Sequence, residues 1–346
     1  MKNKIALIGF GTVGQGLCEI LLEKNDELNE KYGFEWDVVA ISDMQKGSVF
    51  APDGLNVKKC LDIVNNNGSL DHYNSGSEII KGWDALTTIS NSNANIICEL
   101  SYTNVQTGEP ATSHCRMALG NGKHVVTSNK GPAALNYSEL KNLATQNSVQ
   151  ILIEGTVVSG TPVINLIRGP LAGCSISKIK GILNGTTNYI LTEMEDGALY
   201  AEALQKAQDL GYAEADPIGD VEGYDAMVKV IILANVVMGA TLKPADVHRE
   251  GITKISKEMI TEAKTQDSRW KLIGSIENTP EGVKASVQPE KISSDHPLAG
   301  VGGATNALTF STDLMGDITI IGAGAGKIET GYSILTDILE IHREQN

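Results

Sequence analysis

Three glycines set close behind a short apolar strand, Gly9, Gly11 and Gly14, constrain this chain more than any other feature. Residues 5–8 form an apolar run, and beyond the glycines Val13, Leu17, Leu21 and Leu28 keep a helical spacing with one apolar face. Strand, tight turn and helix in that order open a βαβ unit. There the glycines permit close backbone approach, and the helix N-terminus offers amide donors to a pyrophosphate. The spacing G-x-G-x-x-G also occurs in bland glycine turns; the strand before it and the helix after it supply the context a dinucleotide site requires. Thr12 and Val13, inside the turn, join the three glycines as candidate cofactor contacts.

Further apolar runs at residues 37–41, 95–100, 124–127 and 149–153 read as strands, with helical patterns at 112–120 and 136–146 between the later ones. Alternation of this kind implies parallel pairing by right-handed crossovers. After residue 154 the rhythm changes to a glycine-rich passage and short strand-like stretches at 176–183, 283–289 and 317–321, with helical patterns at 201–210 and 225–238. The expected architecture is α/β: a Rossmann-type doubly wound parallel sheet over residues 1–153 and a second, α+β domain over 154–320. The last segment, 321–346, holds a helical pattern (Ile334, Leu335, Ile338, Ile341) expected to pack back on the first domain.

A formal charge of −14 argues against nucleic acid, which needs a basic face. Five scattered cysteines without C-x-x-C spacing fit a reducing, cytoplasmic setting, and the six histidines have no zinc-binding spacing. No apolar stretch approaches the roughly 20 residues that span a bilayer, and no secretory signal opens the chain.

The second strand runs into Asp43, whose carboxylate suits the adenosine ribose hydroxyls; its other reading is a turn residue before Gly47. Met44 follows where an arginine would grip a 2′-phosphate, so NAD is favoured over NADP, with Lys46, Lys58 and Lys59 the nearby cations.

Residues 207–229 crowd Glu214, Asp216, Asp220, Glu222 and Asp225 together and end in Lys229, one helical turn beyond Asp225. Such like charge is costly unless a cation answers it. Two readings stand: a solvated acidic loop with an ordinary surface ion pair, or a site for a cationic ligand.

This stretch resembles the signature of homoserine dehydrogenases at Ala207, Gly211, Tyr212, Asp216, Pro217, Asp220, Val221, Gly223, Asp225 and Lys229. The likeness extends to Glu99, Leu100, Thr103, Asn104 and residues 107–110, to 125–132, 181–191 and 296–298, and to the glycine loop 322–326. It implies NAD(P)-dependent interconversion of L-homoserine and L-aspartate 4-semialdehyde, a step of threonine, methionine and isoleucine biosynthesis. By resemblance Glu214 and Asp220 face the substrate ammonium, with Gly185 and Thr186 adding contacts. Lys130 and Lys229 serve the reacting carbon, and Asp225 fixes Lys229. One lysine relays the hydroxyl proton. The alternative reading of Lys130 is a surface loop lysine, against which stands its place after a strand at the switch-point edge of the sheet.

Thr103 and Asn104 follow the third strand, and with Lys130 they are expected at the cofactor. The resemblance also implies a monovalent cation, Na⁺ or K⁺, near Glu154 and Val157, although Val158 and Ser159 stand where many members carry glycines. Glu154 alone also reads as a strand-end carboxylate. A homodimer formed through the second domain is implied as well, and the end at Asn346 leaves no appended kinase or regulatory domain expected. Two rivals remain: a related dehydrogenase acting on another small amino acid, and a non-catalytic dinucleotide sensor.

Overall fold

In the computed structural model, which describes residues 2–76 and 78–345, the chain forms two units. The first runs to Gly160 and resumes at Ala325; the second is Thr161–Gly324.

The first unit is built on β1 (Asn3–Ile8), β2 (Trp36–Asp43), β3 (Gly47–Phe50), β4 (Ile80–Lys81), β5 (Ile96–Glu99), β6 (His124–Thr127) and β7 (Ile151–Leu152). Their order is β4-β3-β2-β1-β5-β6-β7. β2, β1, β5, β6 and β7 are parallel neighbours, while β3 and β4 join as antiparallel edge strands. The chain leaves β1 toward β2 on one side and returns to β5 on the other. The carboxyl end of β1 is therefore the switch point at which open α/β sheets bind ligands.

The apolar spacing expected to form one first helix is divided at Lys24 into helices Thr12–Glu23 and Asn25–Tyr32. The helix Lys327–Gln345 lies across the first of these, with Gly16 and Gly331 at the crossing: a Cβ on Gly331 would stand 2.6 Å from the Leu17 nitrogen, and one on Gly16 would overlap the Lys327 carbonyl. Ile334, Leu335, Ile338 and Ile341 enter the same core as Leu7, Leu17 and Ile96.

Residues 154–160 stay with the first unit, because the Glu154 amide donates to Asp337 (2.9 Å) and the Ser159 and Thr330 hydroxyls meet at 2.7 Å. The divisions thus fall at 160/161 and 324/325, beyond the expected 153/154 and 320/321.

The second unit carries β8 (Ile176–Ile182), β9 (His248–Arg249), β10 (Ser268–Thr279), β11 (Gly282–Ser293), β12 (Thr305–Thr312) and β13 (Gly316–Ala323), ordered β13-β12-β8-β10-β11-β9. All neighbours are antiparallel except β11 and β9. Helix Tyr224–Val237 is apolar almost all round and buried from Ala226 to Ala234, so Lys229 is carried into the interior of this unit. Among the described residues no helix is long and apolar enough to cross a membrane.

Candidate active site

In the first unit the glycine turn has the form its sequence requires. Gly9 takes φ +105°, a left-handed value that disfavours side chains, and a Cβ there would overlap the Leu100 carbonyl at the end of β5. A Cβ on Gly14 would stand 2.7 Å from the Gly9 oxygen, so the helix packs directly on the turn. Gly11, by contrast, has open space where its Cβ would be, and no side chain caps the helix it begins. Backbone amides at that end are left for an anionic ligand. Thr12 is exposed there, and Val13 is half-buried against the core.

Asp43 closes β2 beside this turn. Its Oδ2 accepts from the Phe10 amide (2.7 Å), and its Oδ1 accepts from the amides of Gln45 and Lys46 (2.9 Å each). Burial works to raise this carboxyl, but the bonds from Phe10, Lys46 and Gln45, with the Lys46 charge, outweigh it and hold the group below the usual carboxylate value. The turn reading of Asp43 is realised in this geometry: its carboxylate anchors the turn and is held ionised at the end of β2.

At the ends of β5 and β6, buried Glu99 accepts from the Ser101 amide (2.9 Å) and hydroxyl and lies 2.6 Å from His114 Nδ1. Buried Asn129 donates to the Ser101 and Tyr102 carbonyls (3.2 and 3.0 Å) and caps helix Lys130–Leu135 by accepting from Gly131. Lys130, half-buried, is the first residue of that helix. Thr103 is exposed, whereas the Asn104 carbonyl side accepts from the amides of Gln106 and Thr107 (3.0 Å each), ordering its own loop. Glu154 and Val157 are both buried; the former lies in a short 3-10 turn and the latter ends it. Val158, next along, takes φ +49°, which is costly for a β-branched residue. Among the described residues no cluster of three or more histidine, cysteine or acidic side chains is suited to a metal ion.

The second unit gathers most of the expected substrate residues. Lys229 Nζ donates to Asp225 Oδ2 and to the Leu183 carbonyl, both at 2.7 Å. Asn184 caps helix Gly185–Glu195 through the Thr187 amide (2.9 Å), and its Nδ2 donates to Asp220 Oδ1 (2.7 Å) and Asp225 Oδ2 (3.0 Å). Thr186 binds the Tyr212 carbonyl (2.6 Å), and Gly185 fits tightly under Ala304, whose oxygen lies 2.6 Å from where a Cβ would be. Burial above all, then the Asp225 charge, raises the Asp220 carboxyl, while Asn184, Lys229 and Thr186 pull it back.

Asp220, Asp225 and Lys229 therefore form one partly desolvated constellation, and the ordinary surface ion pair is excluded: the two side chains are 20% and 10% exposed. Glu214 does not join it. Its side chain is exposed in the irregular stretch before Pro217, and its backbone oxygen, not its carboxylate, is bound by Gln208. Asn184 at the centre of the cluster, and Glu99 and Asn129 in the first unit, were not singled out by role. For Asn184 a signal existed: an asparagine directly before a helix start is a capping position.

Comparisons with known proteins give one answer. A family model described as homoserine dehydrogenase matches residues 162–339. An NAD(+)-dependent homoserine dehydrogenase of Pseudomonas canavaninivorans is 46% identical over 345 residues, 99% of this chain and 97% of that protein. A putative homoserine dehydrogenase of Archaeoglobus fulgidus superposes with a TM-score of 0.88 at 38% identity, covering 98% of this chain and 99% of that one. A hyperthermophilic archaeal homoserine dehydrogenase in complex with NADPH gives 0.84 at 32% identity, covering 99% and 98%.

Proposed function

The chain belongs to the homoserine dehydrogenase family, and on that premise we propose how its residues divide the work of an NAD(P)-dependent oxidoreductase acting on a CH–OH group. The substrate pair is L-homoserine and L-aspartate 4-semialdehyde. The bound nicotinamide supplies the hydride chemistry.

Lys229 is the proton relay. Two of its three ammonium protons are taken by Asp225 and the Leu183 carbonyl, which fixes the direction of the third. In the reductive direction that third proton goes to the nascent alkoxide, and the amine left behind keeps both anchoring bonds. In the oxidative direction it takes the hydroxyl proton back. Asp220 is the counter-charge for the substrate ammonium, and Gly185 and Thr186 line its approach. Glu214 joins the ammonium from its exposed loop. Lys130 supplies the second ammonium for the developing oxyanion. The observation that carries this reading is the ordered contact of Leu183, Lys229, Asp225, Asn184 and Asp220.

The glycine turn with Thr12, Val13 and Asp43, together with Thr103, Asn104 and Lys130, is the cofactor half. NAD is preferred to NADP, because an ionised carboxylate at Asp43 favours ribose hydroxyls over a phosphate; the NAD(+)-dependent relative agrees with this. Glu154 and Val157 offer only oxygen ligands, a donor set suited to a hard monovalent cation. Copies pair through the second unit, a reading supported by exposed Leu314, Met315 and Ile321 at its β12–β13 edge. Five free cysteines, four of them buried, suit a reducing cytoplasm.

Oxidation of L-homoserine by purified protein, followed as reduced nicotinamide with NAD and NADP in parallel, tests the assignment. Turnover with a higher kcat/KM for NAD is expected; no turnover with either cofactor overturns it.

A further inference from the structure

We propose that Asn184 is a positioning residue of the substrate half: one amide group holds Asp220 and Asp225 apart and in place, so that Asp225 keeps Lys229 aimed and Asp220 keeps its charge for the substrate ammonium. This rests on the roles given above to Lys229 and Asp220.

The geometry leaves Asn184 little freedom to do otherwise. The residue is almost wholly buried, 4% exposed, at the junction of β8 and helix Gly185–Glu195. Its two functional ends face opposite tasks. Oδ1 accepts from the Thr187 amide and hydroxyl (2.9 and 3.0 Å) and locks the rotamer as a helix cap. Both Nδ2 protons are then turned toward carboxylates that arrive from other segments of the chain. Two carboxylates sharing one small space repel, and the usual relief is protonation of one of them. A neutral double donor between them removes that need at no cost in charge. It also sits on the same Asp225 oxygen that binds Lys229, so a shift of Asn184 is passed to the ammonium.

The charged groups acting on Asp220 are Asp225 and Lys229, both from helix Tyr224–Val237. Thr186, from the helix that Asn184 caps, adds a hydroxyl, and Glu222 on the same turn as Asp220 is paired with Arg249 at 3.9 Å. Loss of the amide therefore leaves Asp220 with less support for its ionised form, and the acid limb of kcat/KM moves to higher pH.

Serine and aspartate cap helices about as well as asparagine, so Asn184→Ser separates the cap from the bridge. With L-homoserine and NAD, N184S is expected to fold, to unfold somewhat below the parent at neutral pH and at the parent's temperature in acid, while kcat/KM falls roughly 10- to 100-fold, a misplacement cost of ordinary size. The acid limb should move upward, and that shift should vanish when N184S is combined with D220N. Parental kcat/KM and an unmoved acid limb would overturn the proposal. If N184S does not fold, N184T, whose neutral hydroxyl also caps, is read in the same way; if neither folds, Asn184 is a cap alone and the proposal fails. Should D220N and K229A both turn over like the parent, the underlying assignment fails instead, which is a distinct result.

Discussion

Lys229 Nζ lies 2.7 Å from Asp225 Oδ2, one helical turn away on a helix that is mostly apolar and buried from Ala226 to Ala234. A lysine at such a position sacrifices hydration, and its length allows snorkelling to solvent elsewhere in most proteins. Here the side chain is instead held inward by a carboxylate and a backbone carbonyl, an arrangement that suits a donor needing one direction only.

Removing that donor should stop the chemistry and spare the cofactor. Lys229→Ala is expected to lower kcat roughly 100- to 10,000-fold, the usual contribution of a placed general acid. The Kd for NADH, read from nucleotide fluorescence, should stay within the parent's range. Asp225→Asn should be milder, because an amide still accepts from Nζ while losing its charge.

Asp43 gives a pH-dependent prediction with a defined sign. Its carboxyl sits below its unfolded value, so folding favours the ionised form. The stability it contributes is complete above the unfolded carboxyl range and is lost as pH falls through the depressed folded value. Denaturant unfolding of D43N should therefore show a deficit near neutrality that closes on acidification. On the role proposed for Asp43 at the adenosine ribose, kcat/KM with NAD should fall more than with NADP.

The parts that could be read in advance are those in which local chemistry and tertiary role coincide. The turn after β1 takes its glycines at a fixed local spacing, Gly9 for its positive φ and Gly14 for its packing on Gly9, so the motif declares itself, and the helix Tyr224–Val237 carries Asp225 and Lys229 at a spacing visible in one dimension. β10 and β12 are not legible in the sequence because neither alternates: β10 is buried from Lys271 to Gly274 and again at Ile276, and β12 is buried from Asn306 to Phe310. Lys24 breaks the first helix although the apolar spacing continues to Leu28. Asn184 joins two carboxylates far along the chain, and no local pattern announces such a contact. Glu214 has its role only from the resemblance, and nothing in its irregular loop dictates which way its side chain points.

The crossing of helices Thr12–Glu23 and Lys327–Gln345 should be intolerant of a single methyl group. Gly331→Ala would press a carbon to 2.6 Å from the Leu17 nitrogen. Overpacking of this kind costs about 1–3 kcal/mol, or a Tm loss of about 2–4 °C per kcal/mol in a chain of a few hundred residues. Gly120→Ala is the control, since open space surrounds that position and its backbone is helical. Calorimetry should show G331A below the parent and G120A at or slightly above it.

Asp220 should trade stability for function. Its carboxyl is raised, by burial first and by Asp225 second, so the folded chain binds that proton more tightly than the unfolded one. The sign is opposite to that of Asp43: the penalty is absent at acid pH, develops as pH rises from the unfolded value through the folded one, and persists at neutrality. Asp220→Asn keeps the shape and the acceptor for Asn184 while removing the charge. D220N should then be more resistant to denaturant than the parent at neutral pH and equal to it in acid. On the role proposed for Asp220 the same change removes the counter-charge of the substrate ammonium, and kcat/KM for homoserine should fall roughly 10- to 100-fold, the range of a hydrogen bond to a charged group. A variant that is both less stable at neutral pH and fully active would mean that Asp220 is a structural carboxylate and that the ammonium is held elsewhere.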